Sequence, residues 1–189
     1  MISNMHQLFE EKRNVHVLYS YEGMKQYIEQ VVKFIHQGIL AGDFVILIEN
    51  DRIYPMIQRE LFKHLNKDQL EFVHHVNNFD FYFSSGSYHP PAITDYFHNI
   101  VQPYVDNEIF FRSWAHVEWA SMEEPLHLIE DFEKIVDEAV HTFSFPLICA
   151  YEGNKMPDYL TNILMETHPY VLYKDDIIIS EQYQSLKDV

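Results

Sequence analysis

Residues 15–48 read VHVLYSYEGMKQYIEQVVKFIHQGILAGDFVILI, and this stretch decides the fold. Residues 15–19 are a short apolar run that reads as a strand. Met24, Tyr27, Ile28, Val31, Ile35 and Ile39 then recur at helical spacing, and Gly38 and Gly42 sit where that helix should stop. Residues 44–48 are consecutively apolar, too few for a helix and suited to a strand buried on both faces, as in parallel sheets.

The alternation continues outward from this unit. Tyr54, Ile57, Leu61 and Leu65 mark a second helix, and residues 70–76 a third strand that His74 and His75 weaken. Residues 77–91, with Phe79, Phe81, Tyr82, Phe83 and Tyr88, read as a long loop; residues 91–105 read as a helix and 109–114 as a fourth strand. Ser121 with Glu124 three residues later forms a capping-box pattern, and Pro125 suits a first helical turn. Leu126, Ile129, Phe132, Val136 and Val140 give the fourth helix, residues 146–151 a fifth strand, and Pro157 opens a helix that ends before Pro169. Residues 170–173 and 177–179 read as a closing hairpin. Residues 1–14 are polar and read as a short helix or a loose arm, residues 15–183 as one domain and 184–189 as a tail. Strands separated by helices predict an α/β fold of three layers, a mainly parallel sheet with helices on both faces.

Composition narrows the function. Thirteen Lys and Arg against 29 Asp and Glu give a net charge of −16. That balance argues against a nucleic-acid or anionic-membrane surface, because phosphate contacts need clustered cations. A single cysteine, Cys149, forms neither an internal disulfide nor a Cys-rich zinc site; within an apolar run it reads as a buried, inert thiol. No run approaches a membrane-spanning length and residues 1–14 lack a signal-peptide core, so a soluble cytoplasmic protein is expected.

In open parallel sheets ligands bind beyond the carboxyl ends of the strands. Those segments are Tyr21-Glu22-Gly23, Glu49-Asn50-Asp51, residues 114–119 and Tyr151-Glu152-Gly153. Where a phosphate-binding loop would carry several glycines and Lys-Ser/Thr, the chain has Ser20-Tyr21-Glu22-Gly23-Met24-Lys25-Gln26. One glycine and a repelling carboxylate predict no nucleotide hydrolysis, and no cofactor and no bound metal are expected. His116-Val117-Glu118 matches only the first half of a zinc-deaminase pattern, and a His–Glu pair on a half-exposed strand end is the favoured reading. Tyr19, Tyr21, Trp114, Trp119 and Tyr151 map to one end of the sheet, where they either wall a small-molecule pocket or close the core.

These segments resemble a known family. His16, Tyr21 and Glu22 fit H-x-x-x-x-Y-E; Phe34 with residues 38–43 fits F-x-x-x-G-L-x-x-G-E; Arg112 and Trp119 fit R-x-x-x-x-x-x-W. Residues 149–152 resemble C-x-Y-D, and His168-Pro169 a terminal H-P. In this order and spacing they are similar to the MEDS sensory domain of methanogens and methylotrophs. The resemblance implies a RecA/KaiC-like fold with the phosphate loop lost and a signalling role, sensing small hydrocarbon derivatives. Two departures stand out: the family's usual carboxylate is His116 here, and Glu152 replaces the commoner Asp.

The combined expectation is a non-catalytic regulatory sensor that binds a small organic molecule and acts through a protein partner, with homo-oligomerisation left open. The ligand-binding residues expected are Tyr21, Glu22, Arg112, His116, Trp119 and Tyr151, converging on one crevice. Arg112 would pair with Glu22 or Glu152, or receive an anionic ligand group. Glu22 would need a partner, being taken from water at the former phosphate site. His16 and His168 are expected to stabilise the fold, and His168, when charged, would favour the helix terminus where it stands. The competing readings are a protein-interaction module without ligand and, last, a hydrolase or lyase using His116 and Glu118.

Overall fold

The computed structural model describes residues 3–119 and 126–185. In chain order the strands are β1 (Ser3–Asn4), β2 (His16–Tyr21), β3 (Phe44–Glu49), β4 (Val73–Asn77), β5 (Phe111–His116), β6 (Leu147–Glu152), β7 (Tyr170–Tyr173) and β8 (Asp176–Ile179). The helices are α1 (Met5–Glu11), α2 (Met24–Leu40), α3 (Tyr54–Leu61), α4 (Lys67–Leu70), α5 (Asn78–Phe83), α6 (Pro90–Asp106), α7 (Leu126–Phe143) and α8 (Asp158–Thr167). They form one sheet in the order β1-β8-β7-β2-β6-β5-β3-β4. From β7 to β4 every pairing is parallel, and the β7–β8 hairpin and β1 continue one edge in antiparallel fashion.

Strand pleating divides the core in two, because successive side chains point to opposite faces. Val17, Tyr19, Tyr21, Val45, Leu47 and Trp114 pack with Met5 and Phe9 of α1 and the apolar stripes of α2 and α3. Leu18, Ile46, Ile48, Ala115, Leu147, Cys149 and Tyr151 pack with residues of α5, α6, α7 and α8. The three-layer α/β architecture is as the sequence predicts. Met5 and Phe9, 1% and 0% exposed, seat α1 on the sheet, so within this segment Met5–Glu11 form the short helix.

Two local expectations are corrected. Residues 77–91 are not one long loop: Asn77 caps α5 by accepting from the Asp80 N–H at 3.1 Å, and Pro90 opens α6. Phe81 and Tyr82 form the buried side of that short helix, and Phe79 is exposed. The fourth strand extends to His116, which places that residue inside the sheet rather than beyond its end. The Ser121–Glu124 capping pattern and Pro125 lie outside the described residues.

The topology fixes where clefts open. The chain leaves β3 through α3 on one face and leaves β5 through α7 on the other, yet β3 and β5 are neighbours. Connections that part to opposite faces open a crevice between the carboxyl ends of such strands. A second switch point lies between β2 and β6, but there the backbone closes it: a Cβ on Gly153 would sit 2.7 Å from Ser20 Oγ and 3.3 Å from the Tyr21 carbonyl oxygen. Asn154 Nδ2 also donates to the Glu22 carbonyl at 3.3 Å across this junction.

Candidate functional site

The open crevice, of about 310 Å³, is lined by Asn50, Asp51 and Arg52 after β3, Asn77 and Asn78 after β4, and Glu118 and Trp119 after β5, with Phe79 and Phe83 at one side. Its central group is the Glu118 carboxylate, which accepts from Asn50 Nδ2 at 2.8 Å and Asn78 Nδ2 at 2.6 Å, both on Oε2. Burial alone raises the Glu118 pKa. The His116 ring when charged, the two amide hydrogen bonds and Arg52 outweigh it and hold the carboxyl below its ordinary value. The Asn50 side chain also accepts from the backbone N–H groups of Arg52 and Ile53, so the donor is fixed by the turn that starts α3.

Behind Glu118 a polar chain runs into the core. His116 Nδ1 donates to Glu49 Oε1 at 2.6 Å and lies 3.8 Å from Glu118 Oε2. The other ring nitrogen, Nε2, is hydrogen-bonded with the Tyr21 hydroxyl at 2.7 Å. Glu49 Oε2 accepts from the Tyr27 hydroxyl at 2.5 Å, and that hydroxyl accepts from Trp114 Nε1 at 3.0 Å. The Tyr27 ring lies 4.4 Å from that of Tyr21 and 4.9 Å from that of His116, centroid to centroid. All five residues are buried. They converge because Glu49, Trp114 and His116 share one face of the sheet with Tyr21, and α2 delivers Tyr27 over that face. Burial, then the Glu49 carboxylate, pushes the Tyr27 phenol well up, so it stays a donor.

Of the six residues singled out from sequence, Tyr21 and His116 are brought into direct contact and Trp119 walls the adjoining cleft. The other three stand apart. Arg112 shares the His116 face but lies four residues back along β5, roughly 13 Å at strand rise. It pairs with Asp43, not with Glu22 or Glu152: Nε donates to Oδ2 at 2.8 Å and Nη2 lies 2.7 Å from the same oxygen. Its guanidinium also sits over the rings of Phe9 and Phe34. Gly38 of α2 makes room for it, since a Cβ there would be 2.8 Å from Arg112 Cδ. Tyr151 points to the opposite face and donates to Glu133 Oε1 of α7. Glu22 is exposed, so water solvates it and the demand for a partner does not arise. Trp114 and Tyr19 close the core.

Sequence reasoning missed Glu49, Tyr27, Asn50 and Asn78 as individual participants. The segment after β3 was flagged, but a glutamate ending an apolar strand was the stronger signal, because an acid at a fully buried position needs donors. Asn78 was hidden in the supposed loop.

A second buried cluster lies on the other face. His16 of β2, Cys149 of β6, Glu133 of α7 and His168 after α8 are 0%, 1%, 0% and 0% exposed. The rings of His16 and His168 lie 3.9 Å apart. Burial, with the nearby His16, lowers the His168 pKa to about 3, so it carries no charge that would favour the helix terminus. Burial pushes the Cys149 thiol well up, beside Glu133, in keeping with an inert thiol.

The profile of one sensory-domain family, the methanogen/methylotroph, DcmR sensory domain (MEDS), matches residues 15–169. The chain belongs to the MEDS family. No curated protein matches it. The match runs from the residue before β2 to the residue before β7, so it takes in both polar clusters and the crevice of this MEDS domain. No helix among the described residues is long and apolar enough to cross a membrane.

Proposed function

We propose that this MEDS domain is a non-catalytic sensor whose ligand, a small organic molecule with at least one hydrogen-bonding group, occupies the crevice between the carboxyl ends of β3 and β5. The observation that carries this reading is Glu118: a part-exposed carboxylate, oriented by Asn50 and Asn78, stands between an open cleft and a wholly buried polar chain. A ligand donor that displaces an asparagine amide would change the field at His116 and, through Glu49 and Tyr27, the packing of α2 on the sheet. Trp119, with Phe79 and Phe83, supplies the apolar part of the contact. A protein partner reading the position of α2 or α3 would carry the signal onward.

Catalysis by His116 is not supported by this arrangement. Both ring nitrogens are engaged, with Glu49 and Tyr21, and the residue is 2% exposed, so it does not reach a molecule in the cleft. The test is a titration of Trp119 fluorescence with a panel of small alcohols, amines and halogenated hydrocarbons, paired with melting curves. A hit should be lost in Glu118→Gln and in Asn78→Ala. The reading fails if no compound moves either signal, or if a hit survives both substitutions.

A further inference from the structure

The second buried cluster has the geometry of a metal site, and we propose that His16, Glu133, Cys149 and His168 bind one divalent cation, zinc by the chemistry of the donors. Each of the four residues offers one donor atom, and those atoms all lie within 4.8 Å of one another. Three of the edges are 3.4 Å from His16 Nε2 to Glu133 Oε2, 3.5 Å from His168 Nε2 to the same oxygen, and 3.4 Å from Cys149 Sγ to His16 Nε2. A tetrahedral zinc with ordinary bond lengths needs edges of about 3.3 Å between nitrogen and oxygen and about 3.6 Å between nitrogen and sulfur. These three edges are close to ligand spacing, and the remaining ones are no longer than 4.8 Å.

Two of these atoms want a partner. Glu133 Oε2 and His168 Nε2 are buried and accept or donate no hydrogen bond among the described residues. Leaving such groups unsatisfied is costly, and a cation satisfies both at once. The outer contacts match what a metal histidine requires. His16 Nδ1 faces Asp137 Oδ1 at 3.2 Å, and His168 Nδ1 donates to the Leu164 carbonyl at 2.8 Å, which leaves each Nε2 aimed inward. Tyr151 donates to Glu133 Oε1, orienting the ligating oxygen, and Tyr183 donates to Asp137 Oδ2 at 2.7 Å, holding the second carboxylate. One thiolate, one carboxylate and two neutral imidazoles balance a divalent charge in a site closed to water. Coordination would deprotonate Cys149 outright, whatever burial does to the free thiol. A nitrogen, sulfur and carboxylate set of this kind suits zinc better than magnesium or calcium.

The other acidic-histidine group, Glu49 with His116 and Glu118, differs in the decisive respect. Its His116 Nδ1 is spent on a 2.6 Å hydrogen bond to Glu49, and Glu118 is held by two amides, so no donor is orphaned. A single cysteine and scattered histidines gave no spacing signal in the sequence. The site is assembled from two strands and two helices, and departs from the expectation that no metal binds.

The experiment is elemental analysis of the whole chain, purified after growth in zinc-supplemented medium and exhaustive dialysis. Roughly one zinc per chain is expected, falling at least about tenfold in Cys149→Ser and in His168→Gln and unchanged in His89→Asn, at an exposed histidine outside both clusters. Should the ligand variants not fold, the parent chain answers alone. Stripped and reloaded with cobalt, it should show the visible bands of a tetrahedral ion together with a thiolate-to-cobalt charge-transfer band. Metal content near zero in the parent, octahedral cobalt spectra, or full occupancy in folded Cys149→Ser would each overturn the proposal.

Discussion

Replacing Tyr27 by Phe removes one oxygen atom and tests the buried chain behind the cleft. The ring is 0% exposed and fits unchanged between Tyr21 and His116, so no cavity of any size opens. Two bonds are lost. Glu49 Oε2 loses its 2.5 Å donor, a bond to a buried carboxylate worth about 1.5–3 kcal/mol. Trp114 Nε1, wholly buried, loses its acceptor at 3.0 Å, for which no replacement stands among the described residues, and becomes an orphaned N–H costing about 1–3 kcal/mol. The sum is roughly 2.5–6 kcal/mol, which for a chain of this length lowers the melting temperature by roughly 5–24 °C. Urea unfolding should show the midpoint fall with an unchanged slope. The control is Tyr82→Phe. That hydroxyl is also buried but has no hydrogen-bond partner among the described residues, so its loss should be neutral to slightly stabilising. Equal effects of the two substitutions, or a cost below about 1 kcal/mol for Tyr27→Phe, would refute the assignment of the chain as a structural unit.

Three further outcomes follow from named contacts. Gly38→Ala would ordinarily strengthen a helix interior, but its Cβ would meet Arg112 Cδ at 2.8 Å, so a loss of about 1–3 kcal/mol is expected in denaturant unfolding. Asp43→Asn should cost more than Arg112→Met, about 3–5 kcal/mol, because it strands a buried guanidinium instead of replacing the charge by an apolar chain; chemical denaturation of both variants ranks them. The Glu118 carboxyl titrates below its ordinary value of 4.5 despite burial, because His116, Asn50 and Asn78 favour the charged form. Its stabilisation is therefore present above the unfolded value and lost as pH falls through the folded one, so the acid limb of the stability profile should be shallower in Glu118→Gln.

Much of the fold was legible locally. The apolar run of residues 44–48, the stripe from Met24 to Ile39 and the proline at 157 report strand, helix and helix start through periodicity and backbone restriction, which act within a few residues. The family motifs likewise marked His16, Cys149 and His168, and the carboxyl-end rule pointed to the segments holding Glu49, His116 and Trp119. Local pattern failed at residues 77–91, where aromatic density masked a single helical turn capped by Asn77.

What the sequence by itself determined is the order of strands and helices and the edge at which a ligand site would lie. Only the tertiary structure decided which residues meet there. The strand order sets β5 beside β3, so His116 finds Glu49 across that pair. The pleat sends Tyr151, Cys149 and His16 to the face opposite Tyr21 and His116, and strand length carries Arg112 to the far edge with Asp43. Contacts between residues as far apart as His16 and Glu133 depend on register and on the face a helix presents, and neither is encoded within any short window of the chain.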